Sequence, residues 1–558
     1  MLNQIDTGNP DPLETQLIAP IFDSGDKRGE GFGSEIRGHG GGWICENDRR
    51  IVPFTVVAKE ILMAALPVEL YRAAQVRELD RIAIEERGIP GYTLMSRAGQ
   101  AAFEQLRRHW PDARRVVIVC GGGNNGGDGY VVARLARLAG LTASVLALAD
   151  PQQLHGDAQT AWWDAQAADV PILPFTRADL IGADLLVDAI LGTGLEREVS
   201  GTWRDAIEAM NAHSAPILAL DIPSGLHADT GAILGAAVQA TATMTFIGLK
   251  QGLFTGQGPA CCGALSFADL GVPGDIYAAL HPACWRYSGQ DLPTQLPKRQ
   301  RSAHKGHFGH VLVVGGDLGM AGAARMAAEA AARCGAGLVS IATRAAHAGL
   351  QAAARPELMF HGIETAEELT PLLNRATVIA IGPGLGHEDW GRSLLRTVLA
   401  SDKPLVIDAD GLNLLAIDPQ FCTNWILTPH PGEAARLLKM TPKQVEADRF
   451  AAIEDLALRY GGVAVLKGAG SLIASKTDGL VALCSTGNPG MASGGMGDVL
   501  AGVIAALLAQ GLPAFVAAKV GVYLHGLAGD LAAQAGGERG LMATDLLPFL
   551  RQVVNPSS

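Results

Sequence analysis

The chain has 558 residues, more than one ordinary domain holds, so its length predicts two domains. Hydrophobic residues make up 48% of it and charged residues 18%, a balance that is typical of a packed globular enzyme and argues against a disordered or fibrous chain. The net charge of −12 argues against a general binder of nucleic acid or of anionic membranes.

Eight cysteines are scattered along the chain, and none of them forms a C-x-x-C pair. The adjacent Cys261 and Cys262 lack the spacing of zinc ligands, which favours a reducing cytosol. The apolar run at residues 499–509 is far shorter than the ~20 residues that cross a bilayer. We therefore expect a soluble, cytoplasmic protein.

The first 62 residues differ in composition from the rest of the chain. Residues 23–43 are rich in glycine and charge and follow no helical or strand period, so residues 1–62 are predicted to be a flexible leader. The functional fold is expected to begin near Met63, and residues 66–72 are predicted to open an amphipathic helix.

In the first half of the chain, apolar strands alternate with helical segments. A buried strand over Arg115–Cys120 runs into a glycine-rich loop, which is followed by a predicted helix at residues 130–138. Two later strands end on acids, Asp188 and Asp221. This alternation predicts a parallel sheet with crossover helices, and ligands bind such sheets beyond the carboxyl ends of the strands.

Residues 286–302 are mostly polar and contain two prolines, which predicts a linker. A second alternating series begins at residue 310 and continues to about Val554. The sequence therefore predicts an α/β fold with two domains, at residues 66–285 and 303–555.

The glycine-rich loop has two interpretations. Gly121, Gly123 and Gly126 satisfy the G-x-G-x-x-G fingerprint of dinucleotide-binding folds, with Asp150 after the next strand. Against this, Asp128 would bring negative charge to a turn where a pyrophosphate needs a positive environment. The pattern alone does not decide between the two.

Three segments, residues 123–129, 187–194 and 220–225, resemble the signatures of NAD(P)H-hydrate epimerases. The resemblance spans residues 66 to about 280 and implies a Rossmann-like three-layer α/β/α domain. It implies potassium ligands at Asn125, Asp188 and Ser224, whose oxygen atoms suit a hard cation. The substrate contacts that it implies are Asn124, Asn125, Gly126, Gly127, Asp128, Gly192, Thr193, Gly194, Leu195, Glu196, Arg197, Glu198, Trp203 and Asp221.

Epimerisation at the hydrated nicotinamide carbon needs an acid–base group near the ring, and Asp188 and Asp221 are the candidates. Each could instead be a strand-end aspartate that caps the next helix. This alternative is weaker for Asp221, because residues 223–225 are predicted to form a turn before any helix.

The second half contains a glycine-dense turn at residues 487–497 that leads into an apolar helix. Consecutive glycines let backbone N–H groups converge, and a helix N-terminus adds partial positive charge, so this turn suits an anion such as phosphate. Asp498 stands at the junction, where it is either the cap of the helix or a catalytic base beside a phosphate.

Residues 488–498 resemble the anion-hole signature of ribokinase-like enzymes, and most of all that of the ADP- or ATP-dependent NAD(P)H-hydrate dehydratases. Residues 381–386, 427–433 and 466–471 also match, in the family's order. The resemblance implies a ribokinase-like α/β domain with Asp498 as catalytic base. It implies substrate contacts at Ala323, Gly384, Gly386, His430 and Asp498, and nucleotide contacts at Lys467, Gly468, Ala469, Gly470, Ser471 and Gly497.

Together the two resemblances imply a bifunctional repair enzyme for hydrated NADH and NADPH. The first domain would interconvert the R and S hydrates with the help of K⁺. The second would dehydrate the S hydrate, with Mg²⁺ organised near Asp408 and Asp410, and would release AMP and phosphate from ADP. ADP is expected because bacterial members of the family generally use it. The expected partners are these small molecules, without nucleic acid or membrane, in a homo-oligomer.

Two alternatives stay open. A ribokinase-type small-molecule kinase would release a stable phosphorylated product. An epimerase-like fold that serves only as a binding scaffold would be expected to lack Asn125, Asp188 or Asp221, and all three are present.

Overall fold

The computed structural model describes residues 66–477 and 479–555, so the predicted leader at residues 1–62 lies outside the described residues. Within the described ranges, no helix is long and apolar enough to cross a membrane. Two predicted strands, Arg115–Cys120 and the one that begins at His310, are present where the sequence predicts them.

A seven-stranded sheet forms the centre of the first half. Its strands are, in spatial order, β4 (Ile172–Pro174), β3 (Thr142–Ala147), β2 (Arg115–Cys120), β5 (Leu185–Ala189), β6 (Ile217–Leu220), β7 (Ala242–Phe246) and β9 (Ala264–Ala268). Every neighbouring pair is parallel. The chain order reverses between β2 and β5, so the carboxyl ends of these two strands flank a topological switch point.

Helices cover both faces of this sheet. They are α1 (Ala73–Arg81), α2 (Gly91–His109), α3 (Asn124–Leu138), α4 (Gly156–Ala167), α5 (Gly201–Ala212) and the short α6 (Gly258–Cys262). Val116 and Ile118 of β2 pack in one hydrophobic cluster with α1 to α4, whereas Val117 and Val119 pack in another with α5. Successive side chains of a strand point to opposite faces, so the strand is buried on both sides. The predicted three-layer α/β/α fold is confirmed.

A twelve-stranded sheet forms the centre of the second half. Its strands are, in spatial order, β13 (Met359–Gly362), β12 (Leu338–Thr343), β11 (His310–Val314), β14 (Val378–Ile381), β15 (Leu405–Ile407), β16 (Trp425–Leu427), β17 (Val463–Leu466), β18 (Ser471–Ser475), β19 (Leu480–Cys484), β10 (Cys284–Arg286), β1 (Glu69–Tyr71) and β8 (Leu249–Lys250). Each neighbouring pair from β13 to β17 is parallel, whereas β18 is antiparallel to both β17 and β19. A second switch point lies between β11 and β14.

The helices of the second half are α7 (Leu292–Gln295), α8 (Ala321–Arg333), α9 (Ala345–Ala354), α10 (Thr370–Arg375), α11 (Asp389–Leu399), α12 (Ala409–Ile417), α13 (Pro431–Leu438), α14 (Pro442–Ala447), α15 (Arg449–Tyr460), α16 (Met496–Ala509), α17 (Ala514–Gly536) and α18 (Leu546–Val553). The predicted linker at residues 286–302 contains α7. Every residue from Val499 to Leu507 of α16 is buried, which confirms that this apolar helix lies inside the domain.

The last three strands of the twelve-stranded sheet come from the first half of the chain. In this arrangement β10 pairs with β19, with Trp285 opposite Ala482, and β1 joins β10 to β8. Apolar side chains of both halves, among them Leu249 and Leu466, belong to one hydrophobic cluster. The two halves therefore share a sheet and part of a core.

Two predicted elements are wrong. Residues 66–72 do not open a helix, because residues 69–71 form β1 between β10 and β8, and the helix begins at Ala73. The helix predicted at residues 130–138 begins six residues earlier, at Asn124. Its first turns are the glycine-rich loop itself, where glycines give the space for close packing: a Cβ at Gly126 would lie 2.3 Å from Gly121 O.

Two candidate active sites

The first candidate site is a cavity of about 550 Å³ at the carboxyl ends of β2 and β5, the first switch point. The backbone segments that follow β2 and β5 approach each other closely there, since a Cβ at Gly121 would lie 2.0 Å from Ile190 O. Nine sequence-predicted substrate residues line the cavity: Asn124, Asn125, Asp128, Gly192, Thr193, Gly194, Leu195, Trp203 and Asp221.

The other five predicted substrate residues do not line this cavity. Gly126 and Gly127 are buried in the first turns of α3. Glu196, Arg197 and Glu198 are exposed on the loop that follows β5. Their contacts with substrate stay predictions.

The predicted potassium ligands are linked through Leu191 at the edge of the cavity, which Asn125 itself lines. Asp188 Oδ1 accepts a hydrogen bond from Ser224 Oγ at 2.6 Å, and Oδ2 accepts one from Ser224 N at 2.8 Å. Asn125 Nδ2 donates to Leu191 O at 3.1 Å, and Ser224 Oγ accepts from Leu191 N at 2.7 Å. Burial raises the pKa of Asp188 to about 6, although the hydrogen bonds from Ser224 and Ile190 oppose the shift.

One oxygen of this cluster is unused. Asn125 Oδ1 is buried and has no hydrogen-bond partner among the described residues. Buried polar atoms are normally paired, so this oxygen, in a cluster that also contains a carboxylate and a hydroxyl group, could serve as a ligand of a cation.

Asp221 forms an ion pair that sequence reasoning missed. Lys250 Nζ donates to Asp221 Oδ1, to Thr245 Oγ1 at 3.0 Å and to Phe246 O at 2.9 Å. The Lys250 side chain is fully buried, and that of Asp221 is 16% exposed. The one signal in the sequence that could have identified Lys250 is its position directly after the mostly apolar segment 242–249.

Two further carboxyl groups face this ion pair. The pKa of Asp80 is raised to about 6, mainly by burial and also by Asp221, and Lys250 opposes the shift. The pKa of Asp128 is raised by burial first and then by the charges of Asp221 and Asp80. Asp80 lines the cavity and lies on α1, where no motif marks it. The cavity therefore holds acids of differing proton affinity beside one buried cation.

The second candidate site lies at the N-terminus of α16. Gly495, with a φ of +91°, is the residue that precedes the helix, and Asp498 is the third residue within it. The alternative in which Asp498 caps the helix is therefore wrong. Burial raises the pKa of Asp498 to about 7, with a further increase from Asp408 and opposition from Lys467.

An ion pair between the partly exposed Lys467 and the buried Asp408 lies next to this helix terminus. Lys467 Nζ is 2.8 Å from Asp408 Oδ1 and 3.7 Å from Glu433 Oε2, and Thr428 Oγ1 donates to the same Asp408 oxygen at 2.8 Å. A Cβ at Gly497 would lie 3.0 Å from Lys467 Nζ, so a larger residue there would displace the ammonium group by a few tenths of an ångström. The structure thus brings Lys467 and Gly497 together.

Of the other predicted substrate residues of this half, Gly384 and Gly386 lie on the loop after β14, Ala323 lies in the first turn of α8, and His430 lies just before α13. Gly386 N donates to Asp410 Oδ2 at 2.9 Å, and a Cβ at Gly384 would lie 3.2 Å from the Cβ of Ala323. His430 begins α13, where its Nδ1 accepts from Gly432 N at 2.9 Å, and its ring is half exposed. Burial lowers the pKa of His430. Its capping bond explains its position, and its contact with substrate stays a prediction.

The glycine-dense turn is held by an acid that the sequence did not reveal. Asp530, on α17, accepts hydrogen bonds from Gly487 N at 2.9 Å and from Asn488 Nδ2 at 3.0 Å. Asn488 Oδ1 in turn accepts from Gly490 N at 3.0 Å. These bonds hold in place the start of the glycine-dense turn, which leads into α16.

Known proteins match the chain over both halves. Residues 91–252 match the family described as YjeF-related protein N-terminus, and residues 311–551 match the family described as NAD(P)H-hydrate dehydratase. The bifunctional NAD(P)H-hydrate repair enzyme of Coxiella burnetii is 51% identical over 87% of this chain and 99% of its own. That of Escherichia coli is 45% identical over 88% of this chain and 95% of its own.

The chain belongs to the family of bifunctional NAD(P)H-hydrate repair enzymes.

Membership of this family confirms the resemblance that the two sets of motifs indicated. It also agrees with the order of the two domains, since the dehydratase match is C-terminal. Among solved structures, the ADP/ATP-dependent NAD(P)H-hydrate dehydratase of Bacillus subtilis, co-crystallised with ATP and Mg²⁺, is 30% identical. It covers 48% of this chain and 96% of its own, with a TM-score of 0.43.

Proposed function

We propose that this chain repairs hydrated NADH and NADPH in two steps. The first half interconverts the R and S hydrates, and the second half dehydrates the S hydrate with consumption of ADP. Family membership supports both steps, and each half contains its own candidate site at the carboxyl ends of parallel strands. The observation that carries the proposal is Asp498, a carboxyl group with a pKa of about 7 at a helix N-terminus, beside a lysine whose side chain is 18% exposed.

In the epimerase site, Asp128 and Asp221 line the cavity and suit opposite proton-transfer roles, whereas the other predicted candidate, Asp188, is fully buried outside the residues that line it. Asp128, whose pKa is raised by burial, holds the proton that protonates the departing hydroxyl group. Water then leaves, and the lone pair of the ring nitrogen stabilises the planar cation. Water adds to the opposite face, and Asp221, in its ion pair with Lys250, accepts the proton that the water loses. Protons and water balance, so no nucleotide is needed.

The cluster of Asn125, Asp188 and Ser224 fits K⁺. It offers an orphaned amide oxygen, a carboxylate and a hydroxyl oxygen, all of which are hard ligands. When bound, the ion would supply a fixed positive charge at this point. The protein's own groups hold residues 188–191 against Ser224, so the cluster orders one wall of the substrate cavity.

In the dehydratase site, Asp498 in its ionised form takes the proton of the substrate hydroxyl. The oxygen attacks the terminal phosphorus of ADP, and the bond between that phosphorus and the bridging oxygen breaks to release AMP. The ring carbon–oxygen bond then breaks with its electron pair going to phosphate, and the neighbouring carbon loses a proton to restore the ring double bond. In this proposal the backbone amides of residues 494–497 and the Lys467 ammonium stabilise the negative charge that develops on the phosphate, which their closeness at the helix start supports.

Magnesium fits this site only together with the phosphates. In the part of the chain that the structure describes, no group of three or more His, Cys, Asp or Glu side chains could hold a metal ion by itself. Asp408 Oδ2 has no hydrogen-bond partner there and lies 3.3 Å from the position of a Cβ at Gly497. One carboxylate with phosphate oxygens and water is a usual set for Mg²⁺, which would neutralise phosphate charge.

Two smaller proposals accompany the reaction. We infer a cytoplasmic location, in keeping with the seven free cysteines among the described residues. The homo-oligomeric state stays a prediction.

Single-epimer substrates test the proposal. The R hydrate incubated without nucleotide should yield the S hydrate, and chromatography measures this conversion. The S hydrate with ADP should yield reduced nicotinamide, AMP and phosphate, and replacing ADP by ATP should slow the reaction. A stable phosphorylated hydrate would instead identify a kinase, and an R hydrate that persists would identify the first half as a scaffold.

A further inference from the structure

The two halves of the chain meet at the segment that we propose to bind the nucleotide. We call residues 467–471 the nucleotide loop. It contacts residues 254–256, which belong to the first half and lie only four to six positions after Lys250 of the epimerase site. The segment that contacts the nucleotide loop thus follows the lysine of the epimerase site by only a few residues.

Thr255 is the centre of this contact. Its side chain is fully buried, and its Oγ1 lies 3.3 Å from Ala469 O and 3.2 Å from Gly470 O. The hydroxyl group has one hydrogen, so it donates to one of these loop carbonyls at a time. Gly256 N donates to Ala469 O at 3.3 Å, which adds a backbone bond to the same peptide.

Arg449 completes the contact from the other side. It is 1% exposed and begins α15. Its Nε donates to Thr255 Oγ1 at 3.0 Å, and its Nη2 donates to Leu466 O at 3.2 Å and to Lys467 O at 3.1 Å. Glu446 Oε1 accepts from Nη1 at 2.8 Å and so holds the guanidinium group in place. One side chain therefore joins Thr255 to the start of the loop.

The loop is shaped to fit against these residues. Gly470 has a φ of +65°, and a Cβ there would lie 1.9 Å from Phe254 O. Gly468 has a φ of +140°, and a Cβ there would lie 2.9 Å from Nη1 of Arg449. Positive φ values would favour glycine at both positions in any tight turn. The close approach to Phe254 or to Arg449 is a second reason, because a side chain would collide with these residues.

We propose that Thr255 and Arg449 are positioning residues that set the peptide planes of the nucleotide loop, so that the epimerase half completes the nucleotide site of the dehydratase half. This inference rests on the proposed function, in which the loop contacts ADP. Carbonyls at positions 466, 467, 469 and 470 are oriented by the contact, and each planar peptide then fixes the direction of the N–H group that follows it.

Steady-state kinetics of the full chain test this inference. Thr255→Val removes the hydroxyl group and keeps the branched shape, and Thr255→Ser is the matched control that keeps the hydroxyl. We expect Thr255→Val to raise the KM for ADP about tenfold, since a buried hydrogen-bond network loses its central member. The kcat and the KM for the S hydrate should stay within about twofold of wild type, and Thr255→Ser should restore the KM for ADP.

A merely structural role would give a different result. It would lower the melting temperature and reduce turnover without a selective change in the KM for ADP, and that outcome would overturn the inference. Should Thr255→Val fail to fold, Arg449→Lys, which keeps the charge and loses the fixed geometry of the Nη2 bonds, is judged by the same selective change.

A third variant separates this inference from the proposed function. Ala469→Glu adds negative charge to an exposed position of the loop, so it should raise the KM for ADP if the phosphates bind there. A normal KM in Ala469→Glu would overturn both the nucleotide assignment and the inference. A raised KM in Ala469→Glu together with a normal KM in Thr255→Val would overturn the inference alone.

Discussion

Lys467 Nζ lies 2.8 Å from Asp408 Oδ1, directly below the helix turn that carries Asp498. The two partners of this ion pair act on Asp498 in opposite directions, since Asp408 raises its pKa and Lys467 lowers it. With burial as the largest cause, the pKa of Asp498 is about 7. A general base is most effective with such a value, because it is ionised at neutral pH and still binds a proton well.

The dehydration rate should therefore depend on the ionisation of Asp498. Below its pKa of about 7 the carboxyl group is protonated and cannot accept the substrate proton. We expect kcat/KM for the S hydrate to rise about tenfold per pH unit up to pH ~7 and to level off above it. A pH titration of initial rates checks this, and a profile that is flat between pH 5 and 8 would remove Asp498 from the role of base.

Replacing Asp498 by Asn should separate catalysis from binding. The variant keeps the shape of the side chain and loses the proton acceptor, so dehydration should fall by roughly 10²-fold or more. The KM for ADP and the epimerisation rate should change little, because neither ADP binding nor epimerisation uses the carboxylate that the variant loses. Dehydration at the wild-type rate would contradict the assignment.

The same variant should be at least as stable as wild type. The folded pKa of Asp498, about 7, exceeds its ordinary value of 3.8, so ionisation disfavours the folded state and stability is lost as the pH rises from about 4 to 7. Asn avoids this loss. The gain in melting temperature of Asp498→Asn over wild type should therefore be larger at pH 8 than at pH 5, and a lower melting temperature at pH 8 would contradict the burial of the charge.

The glycine-rich helix start shows where sequence reasoning succeeded and failed. The strand Arg115–Cys120 was predictable because an uninterrupted apolar run bounded by glycines is typical of a buried parallel strand. The sequence predicts the start of helix α3 too late, because glycine has low intrinsic helix propensity and a glycine-rich segment is therefore interpreted as a loop. Tertiary packing overrides that propensity, since a Cβ at Gly129 would lie 2.5 Å from the Cβ of Ala189.

The motifs located the acids at strand ends, but not their partners. Lys250 is 29 positions from Asp221 in sequence, and Asp80 comes from a helix that precedes the sheet. Their approach depends on how the strands and helices pack, which the spacing of residues does not encode. The continuation of the second sheet by β1, β8 and β10 was unpredictable for the same reason.

Potassium should act through the cluster that contains Asn125. The Asn125→Ala variant removes the orphaned oxygen, so the K⁺ concentration that gives half-maximal epimerisation should rise about tenfold. Asn124→Ala is the control for the K⁺ response alone: Asn124 lies outside the cluster, so the half-maximal K⁺ concentration should not change, although Asn124 lines the substrate cavity and its loss can lower the rate. A titration of rate against K⁺ checks both, and an equal K⁺ response in Asn125→Ala and wild type would refute the ligand assignment.

Lys250→Met should abolish most epimerisation. It removes the cation that pairs with Asp221, and a buried acid that loses its partner no longer holds its position or charge. We expect epimerisation to fall by roughly 10²-fold, with dehydration of the S hydrate retained. Thr245→Val removes only one hydrogen bond to the lysine and should have a much smaller effect. Similar losses in the two variants would point to general damage of the fold.

The central claim, that one chain completes the repair, is tested most directly by the stoichiometry of a single reaction. The full chain is mixed with both epimers of the hydrate and excess ADP, and the absorbance of reduced nicotinamide is followed together with AMP and phosphate. The account predicts recovery of the entire hydrate pool, with one AMP and one phosphate released for each reduced nicotinamide formed. AMP formed without an equal amount of phosphate, while a phosphorylated hydrate accumulates and the absorbance does not recover, would contradict it.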